Sequence, residues 1–173
     1  MIINASPLII FGKLNKINIL KKLYKNLEIG KEVYNEVAVK GSEKNLKDAL
    51  IIKEYINNHG IKIVSLNEKF FFIANKIQSI YNIDTGEAET IALALQLNKK
   101  EIIIDEVSAR EAAKAFGVKP IGSLRILLTA YKRDLIKKDE VNYLINEMEN
   151  SKYRFSPQIL IEFWNLFDKI RKG

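Results

Sequence analysis

Two hydrophobic periods alternate along the chain. Short runs dominated by β-branched apolar residues, Met1-Ile2-Ile3, Leu27-Glu28-Ile29, Ile61 to Leu66, Ile102-Ile103-Ile104 and Val118 to Ile121, have the length and composition of buried strands. Between them lie longer stretches whose apolar residues recur three and four apart, the spacing of a helix with one face on a core. Ser6 as an N-cap with Pro7 in the first turn predicts a helix over Pro7 to Phe11, leaving Asn4 at the carboxyl end of the first strand. The spacing of Ile17, Leu20, Leu23 and Tyr24 continues that helix. Gly30 turns the chain into a helix carrying Val33, Glu36 and Val37. Residues 43–59 read as helix, with Leu46, Leu50, Ile51 and Ile56 on one face and Gly60 as its stop.

A helix over Asn67 to Tyr81 carries Phe70, Phe71, Ile73, Ala74 and Ile77, and Asp84-Thr85-Gly86 opens another that turns Ala88, Ile91, Ala92 and Leu95 to the sheet. Further helices run through Ala115 to a stop at Gly117, from Ser123 to about Arg133, from Lys138 to Asn150, and from Ser156 to Ile170. Strand and helix alternate over about 120 residues, which predicts an α/β fold with a mostly parallel sheet flanked by helices.

Length and composition narrow the classes. With 173 residues, 47% of them hydrophobic, the chain can bury one sizeable core, so a single domain is expected. The absence of cysteine removes disulfides, thiolate nucleophiles and Cys-based zinc sites. The one histidine, His59, cannot build a His-rich metal site or a Ser-His-Asp triad alone, and reads as a polar residue near a helix end. No stretch of about 18 apolar residues is present to span a bilayer and no leader pattern opens the chain, so a cytoplasmic protein is expected. No G-x-G-x-x-G follows a strand, which removes a dinucleotide site. Lysine and arginine exceed acids by 28 to 21, a formal charge of +7, which suits either a nucleic-acid partner or a solvated lysine-rich surface.

Where the acids fall matters more than how many there are. In a parallel sheet the carboxyl ends of the strands gather along one edge, so residues distant in sequence can converge there. Asn4 and Ser6 follow the first strand, Glu36 lies on an early helix, Glu87 and Glu89 open a helix, and Asp105 and Glu106 follow Ile102-Ile103-Ile104. Oxygen donors without histidine or thiolate suit Mg2+ or Mn2+. Singly, each acid is also explained by helix capping or by dipole matching at a helix start.

In this order, Asn4-Ala5-Ser6-Pro7-Leu8-Ile9, Gly86-Glu87-Ala88-Glu89 and Ile104-Asp105-Glu106 through Ala109-Arg110, with Gly122-Ser123-Leu124 beyond, the chain resembles the PIN domain superfamily, the fold of VapC-type ribonucleases. It looks most like a PIN-like branch that shares those motifs. The resemblance covers roughly residues 1–135, with the helices from about 137 to 171 as a C-terminal extension. It implies a three-layer α/β/α sandwich with a mostly parallel central sheet. It also implies a divalent-metal-dependent endoribonuclease, the toxin half of a toxin–antitoxin pair, with RNA as substrate, an antitoxin protein as partner, and a homodimer.

The resemblance assigns the metal to Asn4, Glu36, Glu87 (or its neighbour Glu89), and Asp105 or Glu106, with Ser6 in support. Arg110, one turn beyond Glu106, is placed for a phosphate contact or for pairing with Glu106. Asn4 stands where the superfamily usually has aspartate, so it brings an oxygen ligand without a charge. The alternative function is therefore a catalytically weakened PIN-like module that binds RNA or protein. Phe155, Ile159, Phe163, Trp164 and Phe167, at helical spacing, serve either core packing or a partner face.

Overall fold

The computed structural model describes residues 1–41, 47–151 and 153–171 and shows two compact units, Met1–Gly122 and Ser123–Gly173. The first holds the whole sheet. Its elements are β1 (Ile2–Ile3), α1 (Ala5–Lys13), α2 (Ile17–Leu23), β2 (Glu28–Gly30), α3 (Lys31–Tyr34) running into a π-helical turn (Asn35–Lys40), α4 (Lys47–His59), β3 (Lys62–Val64), α5 (Glu68–Tyr81), α6 (Thr85–Gln96), β4 (Glu101–Ile103), α7 (Val107–Ala115) and β5 (Lys119–Ile121).

All strand pairs are parallel, in the order β3-β2-β1-β4-β5, with Ile2 opposite both Glu28 and Ile102, and Ile103 opposite Ile121. Parallel neighbours need crossovers, and right-handed crossovers fix the sides. The chain steps outward from β1 to β3 and then returns to β4 on β1's other flank. Helices of the first half therefore cover one face and α5, α6 and α7 the other. Ile2, Ile102 and Ile104 pack with Ile91, Ala92, Ala109 and Ala113 on the second face, while strand alternation turns Ile3 and Ile103 to the first. The reversal of strand order falls between β1 and β4, so a crevice opens at their carboxyl ends.

The alternating pattern is confirmed, and several boundaries move. The first helix starts at Asn4, whose backbone is extended, and not at Ser6, which lies inside the first turn. Pro7 is tolerated there because first-turn N–H groups have no helical acceptor to lose. The helix does not continue to Tyr24: it stops before Asn15, which takes a left-handed φ of 53°, and restarts at Ile17. The run from Ile61 to Leu66 shrinks to Lys62–Val64, since at the sheet edge only those residues find ladder partners. Leu50, expected on a buried face, is 58% exposed, and Phe71 is 54% exposed. Gly60 and Gly117 end their helices at φ of 70° and 73°, as expected. The expected helix over 43–46, with Leu46, and the side chain of His59 lie outside the described residues.

The second unit consists of α8 (Ser123–Lys132), α9 (Lys138–Asn150) and α10 (Pro157–Arg171). Its aromatic residues form a cluster: Phe167 stacks on Tyr131 at 4.3 Å, and Trp164 meets Phe163 edge-on at 4.9 Å. Phe163 and Phe167 are buried, whereas Ile159 is exposed, so only part of the expected apolar stripe packs inward.

Candidate active site

Helix α6 organises the carboxyl edge. Residues Gly86 through Ala94 are all buried, so this helix threads the interior and brings three polar side chains, Glu87, Glu89 and Thr90, inside with it. Two residues apart on a helix is about 200° of rotation, so Glu87 and Glu89 cannot serve one site.

Glu89 turns to the β2–α3 junction. Its carboxylate accepts the backbone N–H groups of Lys31 at 3.0 Å and Glu32 at 2.9 Å, capping α3 from across the fold. Burial pushes its pKa up, while the N–H groups of Glu32, Lys31 and Val33 pull it down. A Cβ on Gly30 would collide with that carboxylate, so glycine is required there.

Glu87 turns the other way. Its Oε2 accepts the Asp84 N–H at 3.0 Å, completing a capping box with Asp84 at the start of α6. Burial raises its pKa, opposed by the Asp84 N–H, and the charges of Asp84, Glu106 and Glu36 raise it further. Three neighbouring acids thus surround one buried carboxyl.

Asn4 follows β1 directly. Its N–H extends the β1–β4 ladder by donating to the Ile103 carbonyl at 2.9 Å. It occupies the N-cap position of α1 without capping it; its side chain is instead drawn to α6. Only 4% exposed, it places Oδ1 3.3 Å from the Thr90 hydroxyl, whose single proton is shared between that oxygen and the nearer Gly86 carbonyl at 2.7 Å.

Glu36 sits in the first turn of the π-helical segment, a wide turn of the kind that recurs at functional sites. It is exposed at the mouth of the crevice. Partial burial of its carboxyl and the charge of Asp84 raise its pKa, and Lys40 opposes them. Gly86 lies between these groups: a Cβ there would meet Glu36 Oε2 at 3.7 Å and Asn4 Oδ1 at 3.8 Å, so both oxygens converge on the same spot.

Asp105 and Glu106 diverge. Asp105 Oδ1 lies 3.1 Å, and Arg110 Nη1 3.0 Å, from where a Cβ on Gly122 would stand, and Arg110 donates to the Ile104 carbonyl at 3.2 Å. Arg110 is thereby engaged beside Asp105. The charge of Glu106, the N-cap of α7, is instead felt by Glu87. Ser6 lies in the first turn of α1. The structure therefore brings Asn4, Glu36, Glu87 and Glu106 near one another, directs Glu89 to the β2–α3 junction, and sets Asp105 beside Arg110 at Gly122. Asp84 joins the first four unforeseen; the D-x-x-E spacing from Asp84 to Glu87, the signature of a capping box, was the available signal.

Among the described residues, no three carboxylate or imidazole side chains are close enough to share one ion. The donor chemistry nevertheless fits a hard divalent cation. Mg2+ keeps several waters and is commonly bound by one or two carboxylates, with further oxygens completing its octahedron. Glu87 with Glu36 or Glu106, and the Asn4 amide oxygen, supply such a set.

The space above Gly86 gives a direct check. At 3.6 to 3.8 Å from its nearest neighbours, a methyl group fits without strain. Gly86→Ala is expected to fold and to melt at the wild-type temperature or a few degrees higher, since alanine is the better helix former by up to about 1 kcal/mol. The methyl fills the gap between Asn4 and Glu36, so a Mn2+ titration followed by calorimetry should show affinity falling about tenfold or more. Unchanged affinity would place the cation elsewhere.

An all-parallel α/β sheet with carboxylate and amide oxygens gathered at its switch point defines the class: an open α/β domain whose polar edge lies where ligands of such sheets bind. A PIN domain family model matches residues 1–169, and the chain belongs to that family. PIN domains are generally nucleases and generally use divalent metal ions. No curated protein matches the chain. Among the described residues, no helix is long and apolar enough to cross a membrane.

Proposed function

We propose that this PIN domain is an endoribonuclease working with Mg2+ or Mn2+ held by Asn4, Glu36, Glu87 and Glu106. The observation that carries this reading is geometric: Glu36 Oε2 and Asn4 Oδ1 converge on the Gly86 position beside the buried Glu87 carboxyl, whose pKa is raised by burial first and by the charges of Asp84, Glu106 and Glu36 after it. Like charges kept together, with only the exposed Lys40 opposing them, are costly to fold around, and a divalent cation relieves that cost. When bound, such a cation lowers the pKa of water and stabilises charge on a phosphodiester.

The chain's own groups have separable tasks. Thr90 orients the Asn4 amide. The capping box fixes the rotamer of Glu87. Glu36, at the mouth with a raised pKa, is suited to take a proton from an attacking water at its carboxylate oxygen. Arg110 and Asp105 stand side by side at Gly122, with Arg110 donating to the Ile104 carbonyl. The formal charge of +7 favours RNA as the polyanionic partner. By family analogy we extend the reading to the toxin half of a toxin–antitoxin pair, acting as a cytoplasmic homodimer and restrained by an antitoxin protein.

A second reading is favoured by Asn4 itself, together with the lack, among the described residues, of three acids sharing one ion: a weakened module that binds RNA or protein without cutting. One experiment separates them. Labelled RNA is incubated with the wild type, Asn4→Asp and Glu36→Gln across a Mn2+ titration with a chelator control. Weak wild-type cleavage is expected, rising with Asn4→Asp and lost with Glu36→Gln or chelator. Complete inertness of both the wild type and Asn4→Asp, with no gain in metal affinity, would leave the binding module.

A further inference from the structure

The carboxyl edge of the sheet gathers acids, and the amino edge gathers lysines. A cleft of about 750 Å³ opens at the amino ends of β1, β4 and β5, with Tyr24, Lys25, Lys99, Lys100, Glu101 and Lys119 in its lining. The charges in it do not cancel. Lys119 Nζ lies 2.7 Å from Glu101 Oε1, and Lys99 Nζ lies 3.2 Å from Glu28 Oε2. Lys25 and Lys100 are exposed and have no carboxylate partner among the described residues. The Met1 ammonium shares the same Glu28 oxygen at 3.7 Å, so among the described residues five cations meet two carboxylates around one open depression, and Lys25 and Lys100 are the two with no carboxylate beside them.

We propose that this cleft binds a dianionic phosphate group, held by Lys25 and Lys100. A phosphate ester with its second ionisation near pH 6 carries close to two negative charges at neutral pH, matching the two free ammonium groups. The depression is open and wider than phosphate alone needs, and Leu23 and Tyr24 supply an apolar side beside the cations on which a base can rest. The cleft lies at the opposite ends of the strands from Asn4 and Glu106, so the assignment does not depend on the acidic edge.

The test is titration of the whole chain, with chelator present, by adenosine monophosphate, inorganic phosphate, adenosine, and a trinucleotide with and without a 5′-phosphate. Phosphate-bearing probes are expected to bind at least about tenfold tighter than their phosphate-free counterparts, the effect of one charge-assisted contact. Lys25→Gln/Lys100→Gln, at exposed positions that leave the fold intact by circular dichroism, should cost about tenfold or more for those probes only. Affinity should also weaken from pH 7.5 to 5.5 as the second phosphate proton returns. Equal binding of inorganic phosphate and the nucleotide identifies free phosphate as the source. Tighter binding of the nucleotide or the phosphorylated trinucleotide identifies a nucleotide or an RNA end; either supports the site. Adenosine binding as well as its monophosphate, phosphate binding unmoved by the double substitution, or no saturation by about 10 mM of any probe overturns it.

Discussion

Gly30→Ala should destabilise the protein by about 3 kcal/mol, lowering its melting temperature by roughly 6–12 °C, because its methyl group would occupy the place of the Glu89 carboxylate. That carboxylate is the far end of a flexible side chain, but it is not free to move. It is buried and holds the N–H groups of Lys31 and Glu32, and charge-assisted bonds of this kind contribute about 1.5–3 kcal/mol each. Displacing it uncaps α3, which leads into the turn bearing Glu36. A double-mutant cycle with Glu89→Ala isolates the cause. Once the carboxylate is removed, the alanine at position 30 has nothing to displace, so its further cost should fall below about 1 kcal/mol. Strict additivity of the two substitutions, measured by denaturant melts, would show that Glu89 is not what Gly30 accommodates.

Much of this fold was legible because its signals are local. Ile102-Ile103-Ile104 could be little else than a central parallel strand, since β-branched residues without alternation need both faces covered. The first two of these are strand, and Ile104 continues the ladder to Ile121. Leu50 was misplaced because helical spacing indicates that a face exists without saying how wide the cover over it is. That Asn4 and the Gly86-Glu87 turn would meet was readable from a strand end and a helix start, whereas Glu36 was assigned to the site only through the family resemblance. The division of labour within acidic pairs was not readable. That Glu87 and Glu89 must diverge follows from helical geometry; which one faces the cluster depends on the β2–α3 junction, a contact between segments 57 residues apart. The π-helical turn beneath Glu36 left no trace in the sequence pattern, and Asp84 was read only as a helix start.

Glu87→Gln tests whether the cluster is kept at a cost to stability for the sake of a cation. The amide retains an oxygen for the Asp84 N–H, so the capping box survives while the charge is removed. In the folded protein the pKa values of Glu87 and Glu36 lie above their ordinary value. Raised carboxyl pKa values favour the folded state at pH below the ordinary carboxylate range, and that contribution is lost as pH rises through the folded values. Without metal, the variant should match the wild type in acid and melt a few degrees higher near pH 7.5, a gain on the order of 1 kcal/mol.

With Mn2+ the order should reverse. A cation at about one hundred times its dissociation constant adds about 2.7 kcal/mol, or roughly 5–10 °C, to the wild type. The shift should shrink as pH falls and protons compete for the same oxygens. The variant should lose most of it at every pH. Thermal melts of both proteins across a pH series, with Mn2+ and with chelator, give all four quantities. A Mn2+ shift of equal size in the variant, or one independent of pH in the wild type, would mean that the crowded carboxylates at this edge serve some purpose other than holding a metal.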